Sequence, residues 1–278
     1  MRNFVEQIKL TNILHNVVLK ILRKLVKLIK YFCYAFIYPF FYVALKIQSL
    51  FLVPPIFVVG CGHSGTSIMI RLLGNHSKIY SIPGESFIFY SKPRLKIVKH
   101  LFLFYRKAAK NNKHRWVEKT PRHILKIDTI FNNIPEAKII IMVRDGRDVT
   151  CSLKKRTGDF EASLSRWIKD NEAALPFQSH KQVKIVKYEE LVRNKEIVMK
   201  EVLSFLDEEY EEEIFRTDGN SWLPTSKLSN HVLRRIEQIK SPIYDGSGKW
   251  EKEMTKEEKE LFDSRADNLM RRLGYVGN

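Results

Sequence analysis

The chain has 278 residues and a formal net charge of +17, from 48 Lys and Arg against 31 Asp and Glu. That length accommodates one α/β domain of ordinary size with a smaller appendage, and the basic excess points to an anionic partner: a lipid surface, nucleic acid or a polyanionic small molecule. Three cysteines, Cys33, Cys61 and Cys151, form neither a disulfide framework nor a zinc site, and no nucleic-acid-binding module accompanies the charge, so nucleic acid is set aside as a partner.

Residues 1–53 carry eight basic side chains and one acid, Glu6, leaving 40 against 30 for the rest. Ile8 to Ile29 reads as a basic amphipathic helix. Leu10, Ile13, Leu14, Val17, Val18, Ile21, Leu22, Leu25 and Ile29 share one face, with Lys9, Lys20, Arg23, Lys24 and Lys27 on the other. Tyr31 to Leu45 has no formal charge and is rich in Phe and Tyr, and apolar character resumes after Lys46 as far as Val53. A spanning helix needs about 20 apolar residues, so 31–53 spans only if Lys46 snorkels and Pro39 is taken as a kink. A span would leave the N-terminus cytoplasmic. Otherwise the arm lies in the membrane interface as a monotopic anchor, or packs on the protein's own core. We expect a membrane-associated helical arm over 1–53 and a globular domain over 54–278.

Pro54-Pro55 lead into an apolar strand, Ile56-Phe57-Val58-Val59. Gly60-Cys61-Gly62-His63-Ser64-Gly65-Thr66-Ser67 follow, then a helical stretch, Ile68 to Leu73. Strand, glycine-rich turn, hydroxyl pair and helix make a phosphate cradle, with backbone N–H groups and the helix N-terminus facing the anion. The Gly-x4-Gly spacing is that of a nucleotide loop, but Thr66-Ser67 stand where a triphosphate loop has Lys then Ser/Thr. The expected ligand is therefore an anionic nucleotide other than a triphosphate. Further apolar runs at Lys138–Val143 and Val183–Val186 read as buried parallel strands. Helical patterns at His123–Phe131, Phe160–Leu175 and Ile197–Leu206 alternate with them. This alternation predicts an α/β fold: a P-loop-like, doubly wound parallel sheet flanked by helices, with ligand beyond the carboxyl ends of its strands.

On these motifs the chain resembles the sulfotransferases that use 3′-phosphoadenosine-5′-phosphosulfate (PAPS), over residues 56 to about 252. In motif style it is nearest the glutamate-base carbohydrate and protein-tyrosine types. Gly62 and His63-Ser64-Gly65-Thr66-Ser67 are similar to the family loop (K/R)-S-G-T-(T/S) that holds the 5′-phosphosulfate. Arg144 and Ser152, eight residues apart after a strand, match the pair that grips the 3′-phosphate. Val186-Lys187-Tyr188-Glu189-Glu190-Leu191 resembles a strand end whose tyrosine, here Tyr188, lies against adenine. Ser247-Gly248-Lys249-Trp250 resembles a segment that closes over the nucleotide, with Lys249 as an extra phosphate contact.

The resemblance implies a sulfuryl transfer without a metal, from PAPS as co-substrate to a hydroxyl, or an amine, of a carbohydrate, lipid or protein acceptor. Lys119, in Glu118-Lys119-Thr120-Pro121, stabilises the leaving 5′-phosphate, and Glu85, in Pro83-Gly84-Glu85-Ser86-Phe87, is the general base. His63 replaces the family's Lys or Arg and is the main departure. Pro121 occupies the position of the base histidine in the cytosolic branch, leaving His123 as a fallback. Arg147 reads equally as a phosphate ligand or as a salt bridge to Asp145 or Asp148, and Trp167 reads as core. Two other readings stay open: a P-loop-type nucleotide phosphotransferase, and a non-catalytic peripheral membrane protein.

Overall fold

The computed structural model describes residues 18, 20–28, 32, 38–45, 47, 53–90, 93–217 and 243–275. The chain divides into two compact units, Met1–Phe51 with Pro93–Phe102, and Leu52–Lys92 with Leu103–Asn278. In the first unit residues 20–28 and 38–45 are helical. Most of the arm expected over 1–53 lies outside the described residues. Among the described residues no helix is long and apolar enough to cross a membrane.

The second unit is built on a parallel five-stranded sheet of β1 (Ile56–Gly60), β2 (Ile79–Ser81), β3 (Arg115–Lys119), β4 (Lys138–Val143) and β5 (Val183–Lys187), in the order β2-β3-β1-β4-β5. The helices are α1 (Thr66–Asn75), α2 (Arg94–Lys110, of which Arg94–Phe102 is counted with the first unit), α3 (Ile127–Asn133), α4 (Gly146–Thr157), α5 (Phe160–Glu172), α6 (Tyr188–Arg193), α7 (Lys195–Phe205), α8 (Trp250–Glu253) and α9 (Lys256–Arg272). The expected helix over His123–Phe131 is instead a 3-10 turn, Pro121–Lys126, running into α3. Pro121 suits such a start, because its missing N–H would have had no partner there.

β1 is the central strand and every residue in it is buried, which is why its run is apolar throughout rather than alternating. On one face Ile56 and Val58 join Met69, Ile70, Leu73, Ile140 and Met142 in the core. On the other, Phe57 meets Trp116 edge-on at 5.4 Å between ring centroids, and Trp116 in turn meets Phe104 at 5.2 Å.

β3 contradicts simple hydropathy. Arg115, Glu118 and Lys119 are all buried in it. Each is satisfied by a partner from elsewhere: Arg115 by Glu208 (3.1 Å), Glu118 by Thr120 and His123, and Lys119 by Glu85. Buried charges persist only when paired in this way. The strand order reverses beside β1. The chain leaves β1 for β2 and β3 on one side and returns as β4 on the other. A crevice opens at the carboxyl ends of β1 and β4, the general ligand position of open parallel sheets.

Candidate functional site

The loop after β1 and the segment after β4 meet in that crevice. α1 starts behind Gly65, whose φ of +88° is left-handed, and no side chain caps it. Its first-turn N–H groups thus face the loop rather than a capping side chain. His63 Nδ1 lies 2.7 Å from Ser152 Oγ. The His63 carbonyl accepts from Arg144 Nη1 at 3.2 Å. One histidine therefore joins Arg144 and Ser152, the residues expected at the 3′-phosphate, to the loop expected at the 5′-phosphosulfate.

Arg144 is held on three further sides. Its Nη2 donates to the Gly246 carbonyl at 2.7 Å and stands 3.7 Å from Asp148, and its guanidinium carbon lies 4.2 Å from the centre of the Tyr188 ring. The Tyr188 hydroxyl donates to the Tyr244 carbonyl (3.2 Å) and accepts from Gly246 N (3.1 Å). Burial is the main reason that this phenol is pushed above its ordinary pKa. Asp148 accepts from the backbone N–H groups of Gly248 (2.8 Å) and Trp250 (3.1 Å). A carboxylate on α4 and a tyrosine at the start of α6 thus fasten the segment 244–250 over the crevice.

The result is a cavity of about 240 Å³ lined by His63, Gly65, Thr66, Ser67, Arg144, Ser152, Tyr188 and Lys249 among the residues expected from sequence. Gly62 and Ser64 are not on its wall. Ser64 is fully buried, and a Cβ on Gly62 would lie 3.1 Å from Arg166 Nη2. The remaining two expected residues form a separate pair: Lys119 Nζ donates to Glu85 Oε1 at 2.8 Å, with Lys119 fully buried.

Glu118 points to the opposite face of β3. Its oxygens accept from Thr120 Oγ1 (2.5 Å) and the Ser86 N–H (3.0 Å), and one lies 3.1 Å from His123 Nδ1. Burial by itself raises a carboxyl pKa, but His123 and these hydrogen bonds outweigh it and hold Glu118 below its ordinary value. His123 is fully buried, and its Nε2 accepts from Phe89 N at 3.5 Å. Both of its ring nitrogens are thereby engaged inside the protein.

Arg147 takes the salt-bridge alternative, with Nη2 on Asp145 at 2.7 Å and its guanidinium 3.9 Å from the Trp250 ring centre. Trp167 is core, fully buried against Phe262. Burial is also the largest reason that the Cys61 thiol is pushed well above its ordinary range, so this loop cysteine is an inert filler rather than a nucleophile. Among the described residues no group of His, Cys, Asp and Glu side chains is placed to hold a metal ion.

Residues 93–212 match the model of the Sulfotransferase family, a span that includes Lys119, Arg144, Ser152 and Tyr188. Over these residues the chain is similar to the sulfotransferases. Its fold is shared with the sulfotransferase domain from the curacin biosynthetic pathway: 18% identity, 77% of this chain and 97% of that one covered, TM-score 0.55. It is shared also with the sulfotransferase domain of the Synechococcus PCC 7002 olefin synthase, at 16% identity, 77% and 96% coverage and TM-score 0.52. Mouse sulfotransferase SULT7A1, solved in complex with PAP, is 17% identical, with 82% of this chain and 89% of that one covered and a TM-score of 0.54. No curated protein matches the chain in sequence.

The cavity is lined by further charged residues that motif reading did not assign to it: Arg71, Asp148, Lys155 and Glu253. Two of them had a signal. Lys155 stands one helical turn beyond Ser152, and Arg71 is the single charge in the apolar first turns of α1. Burial alone pushes the Arg71 guanidinium below its ordinary pKa. Glu253 had none, because its place at the rim follows from an ion pair with Lys155 at 2.5 Å across 98 residues of chain.

Proposed function

We propose that this chain is a sulfotransferase that takes PAPS as its donor and passes the sulfuryl group to a hydroxyl, or an amine, of a carbohydrate, lipid or protein acceptor. The observation that carries this reading is the joining of the two anion sites: Ser152 touches His63, and Arg144 reaches the His63 carbonyl, around one cavity. A donor with a 5′-phosphosulfate at one end and a 3′-phosphate at the other needs two such sites at the ends of neighbouring strands. The lining supports an anion, with His63, Arg71, Arg144, Lys155 and Lys249 set against Asp148 and Glu253. Arginine offers planar, two-pronged recognition of phosphate oxygens.

In the step itself, the acceptor oxygen attacks sulfur in line while its proton passes to the Glu85 carboxylate. The bond from sulfur to the bridging oxygen breaks, and adenosine 3′,5′-bisphosphate leaves. As in phosphoryl transfer, positioning and electrostatics dominate such a displacement. The first-turn N–H groups of α1 and the His63 ring steady the phosphosulfate. Lys119 neutralises charge growing on the bridging oxygen. An ammonium has three N–H donors, so one given to Glu85 is compatible with that role. A sulfuryl group carries less negative charge than a phosphoryl group, which lessens the demand for a metal.

The test is transfer of labelled sulfate from PAPS to fractionated glycan, lipid and peptide acceptors. Glu85→Gln is expected to slow transfer by about a hundredfold or more, with affinity for adenosine 3′,5′-bisphosphate changed less than about twofold. Arg144→Ala is expected to weaken that affinity by about tenfold or more, the loss of a charge-assisted hydrogen bond. The reverse pattern in the two variants overturns the assignment.

A further inference from the structure

The helix at residues 20–28 separates its side chains completely by chemistry. Its nine residues are five apolar (Ile21, Leu22, Leu25, Val26, Leu28) and four basic (Lys20, Arg23, Lys24, Lys27), with no acid. At 100° per residue the apolar five occupy an arc of about 160° and the basic four an arc of about 100°, and the two do not interleave. All nine are exposed: Ile21, Leu22, Leu25 and Val26 each by 50–52%, and Leu28 by 70%. A soluble domain normally buries such a stripe.

We infer that residues 20–28 form a lipid-docking helix that lies in the headgroup region of an anionic bilayer, apolar arc inward and basic arc among the phosphates. Charge selects this occupant. A second copy of the same helix would cover the apolar arc and leave the basic arc facing water, whereas an anionic headgroup layer answers both arcs at once. Four cations among the helix's nine residues leave no continuous apolar stretch of the kind that spans a bilayer, so docking here is along the surface and not through it. The helix at 38–45 offers a second uncharged patch in the same unit, with Phe40, Tyr42 and Val43 exposed and aromatics of the kind that favour the membrane interface. Lipid docking is independent of sulfuryl transfer and stands or falls separately from it.

The experiment sediments the full chain with sucrose-loaded vesicles, either pure phosphatidylcholine or phosphatidylcholine with about one-third phosphatidylserine, matching the anionic leaflets that polybasic segments recognise. Preferential binding to the anionic vesicles is expected, falling at least about tenfold at high salt as the headgroup charges are screened. Leu22→Glu with Leu25→Glu is expected to reduce it at least about tenfold. Lys20→Glu with Lys24→Glu and Lys27→Glu is expected to abolish the preference for phosphatidylserine. Affinity for adenosine 3′,5′-bisphosphate and the thermal transition, measured on each variant, show that the rest of the chain is intact. Equal binding to both vesicle types overturns the proposal, as does binding that survives the leucine variants. A wild-type dimer that the leucine variants turn into a monomer, with no vesicle binding in either, also overturns it and assigns the stripe to a second copy.

Discussion

Replacing Gly65 by alanine probes how the phosphate loop is coupled to Arg144. An alanine Cβ there would sit 2.8 Å from Cδ2 of Tyr188 and 3.5 Å from Cε of Met142, on a backbone with φ of +88°. A left-handed backbone costs a residue with a Cβ about 1–2 kcal/mol. Forcing a methyl into a filled site adds about 1–3 kcal/mol. Gly158, which ends α4, has φ of +76° and nothing within 4 Å of its Cβ position, so Gly158→Ala carries the first cost alone.

Urea denaturation is therefore expected to find Gly65→Ala destabilised by about 2–5 kcal/mol and Gly158→Ala by about 1–2 kcal/mol. The Tyr188 ring is tied through its hydroxyl to Tyr244 and Gly246, and it supports the Arg144 guanidinium at 4.2 Å. A displaced ring thus moves Arg144. Calorimetric titration with adenosine 3′,5′-bisphosphate is expected to show about ten- to hundredfold weaker binding in Gly65→Ala, the worth of one charge-assisted hydrogen bond, and no change in Gly158→Ala. Equal destabilisation of the two variants would refute the crowding argument. Unchanged affinity in Gly65→Ala would refute the coupling through Tyr188.

Asp148→Ala removes the acceptor of the Gly248 and Trp250 N–H groups and the carboxylate facing Arg144. Hydrogen exchange at residues 246–250 is expected to quicken, with a stability loss of about 2–4 kcal/mol; exchange unchanged from the wild type would show that the segment is held by something else. Glu118 is kept below its ordinary pKa in the folded chain, so its contribution is complete above about pH 4.5 and is lost as pH falls through the depressed value. Glu118→Gln is accordingly expected to flatten the fall of unfolding free energy below pH 4.5, and an acid limb as steep as the wild type's counts against this account. Burial pushes the Cys151 thiol up to about 12 and raises Cys61 as well, so both are expected to resist thiol reagents at pH 8 in a Cys33→Ser background and to react in urea. The unfolded chain ionises first as pH rises, so these thiols subtract stability from about pH 9 upward. Labelling of either thiol in the folded chain would remove that claim.

The parts of the site that were legible in the chain are those built from neighbours in sequence. The loop from Gly60 to Ser67 announces itself because a left-handed turn before an uncapped helix demands glycine at a fixed place. Arg144 directly follows β4 and Ser152 lies about two turns into α4, a spacing of eight residues set by local geometry. β1 and β4 were legible as apolar runs because both faces of each are covered, and the edge strand β5 through Val183, Ile185 and Val186. β3 was not, since three of its five residues are charged. α2 escaped as well, because its aromatics carry no clear period. Phe104 and Tyr105 prove to pack on Trp116.

What the chain's residues determined alone is the class of sheet and the strand–turn–helix loop that it presents, because both rest on short-range backbone rules. Only the tertiary structure decided which charges act together. Lys119 is paired with Glu85 rather than with adjacent Glu118, Ser152 rests on His63, and Asp148 ties down Gly248 and Trp250. Neighbours along a strand point to opposite faces, so adjacency in sequence separates side chains as readily as it joins them. The partners of a buried charge are set by how distant strands and loops pack, and no local pattern encodes that.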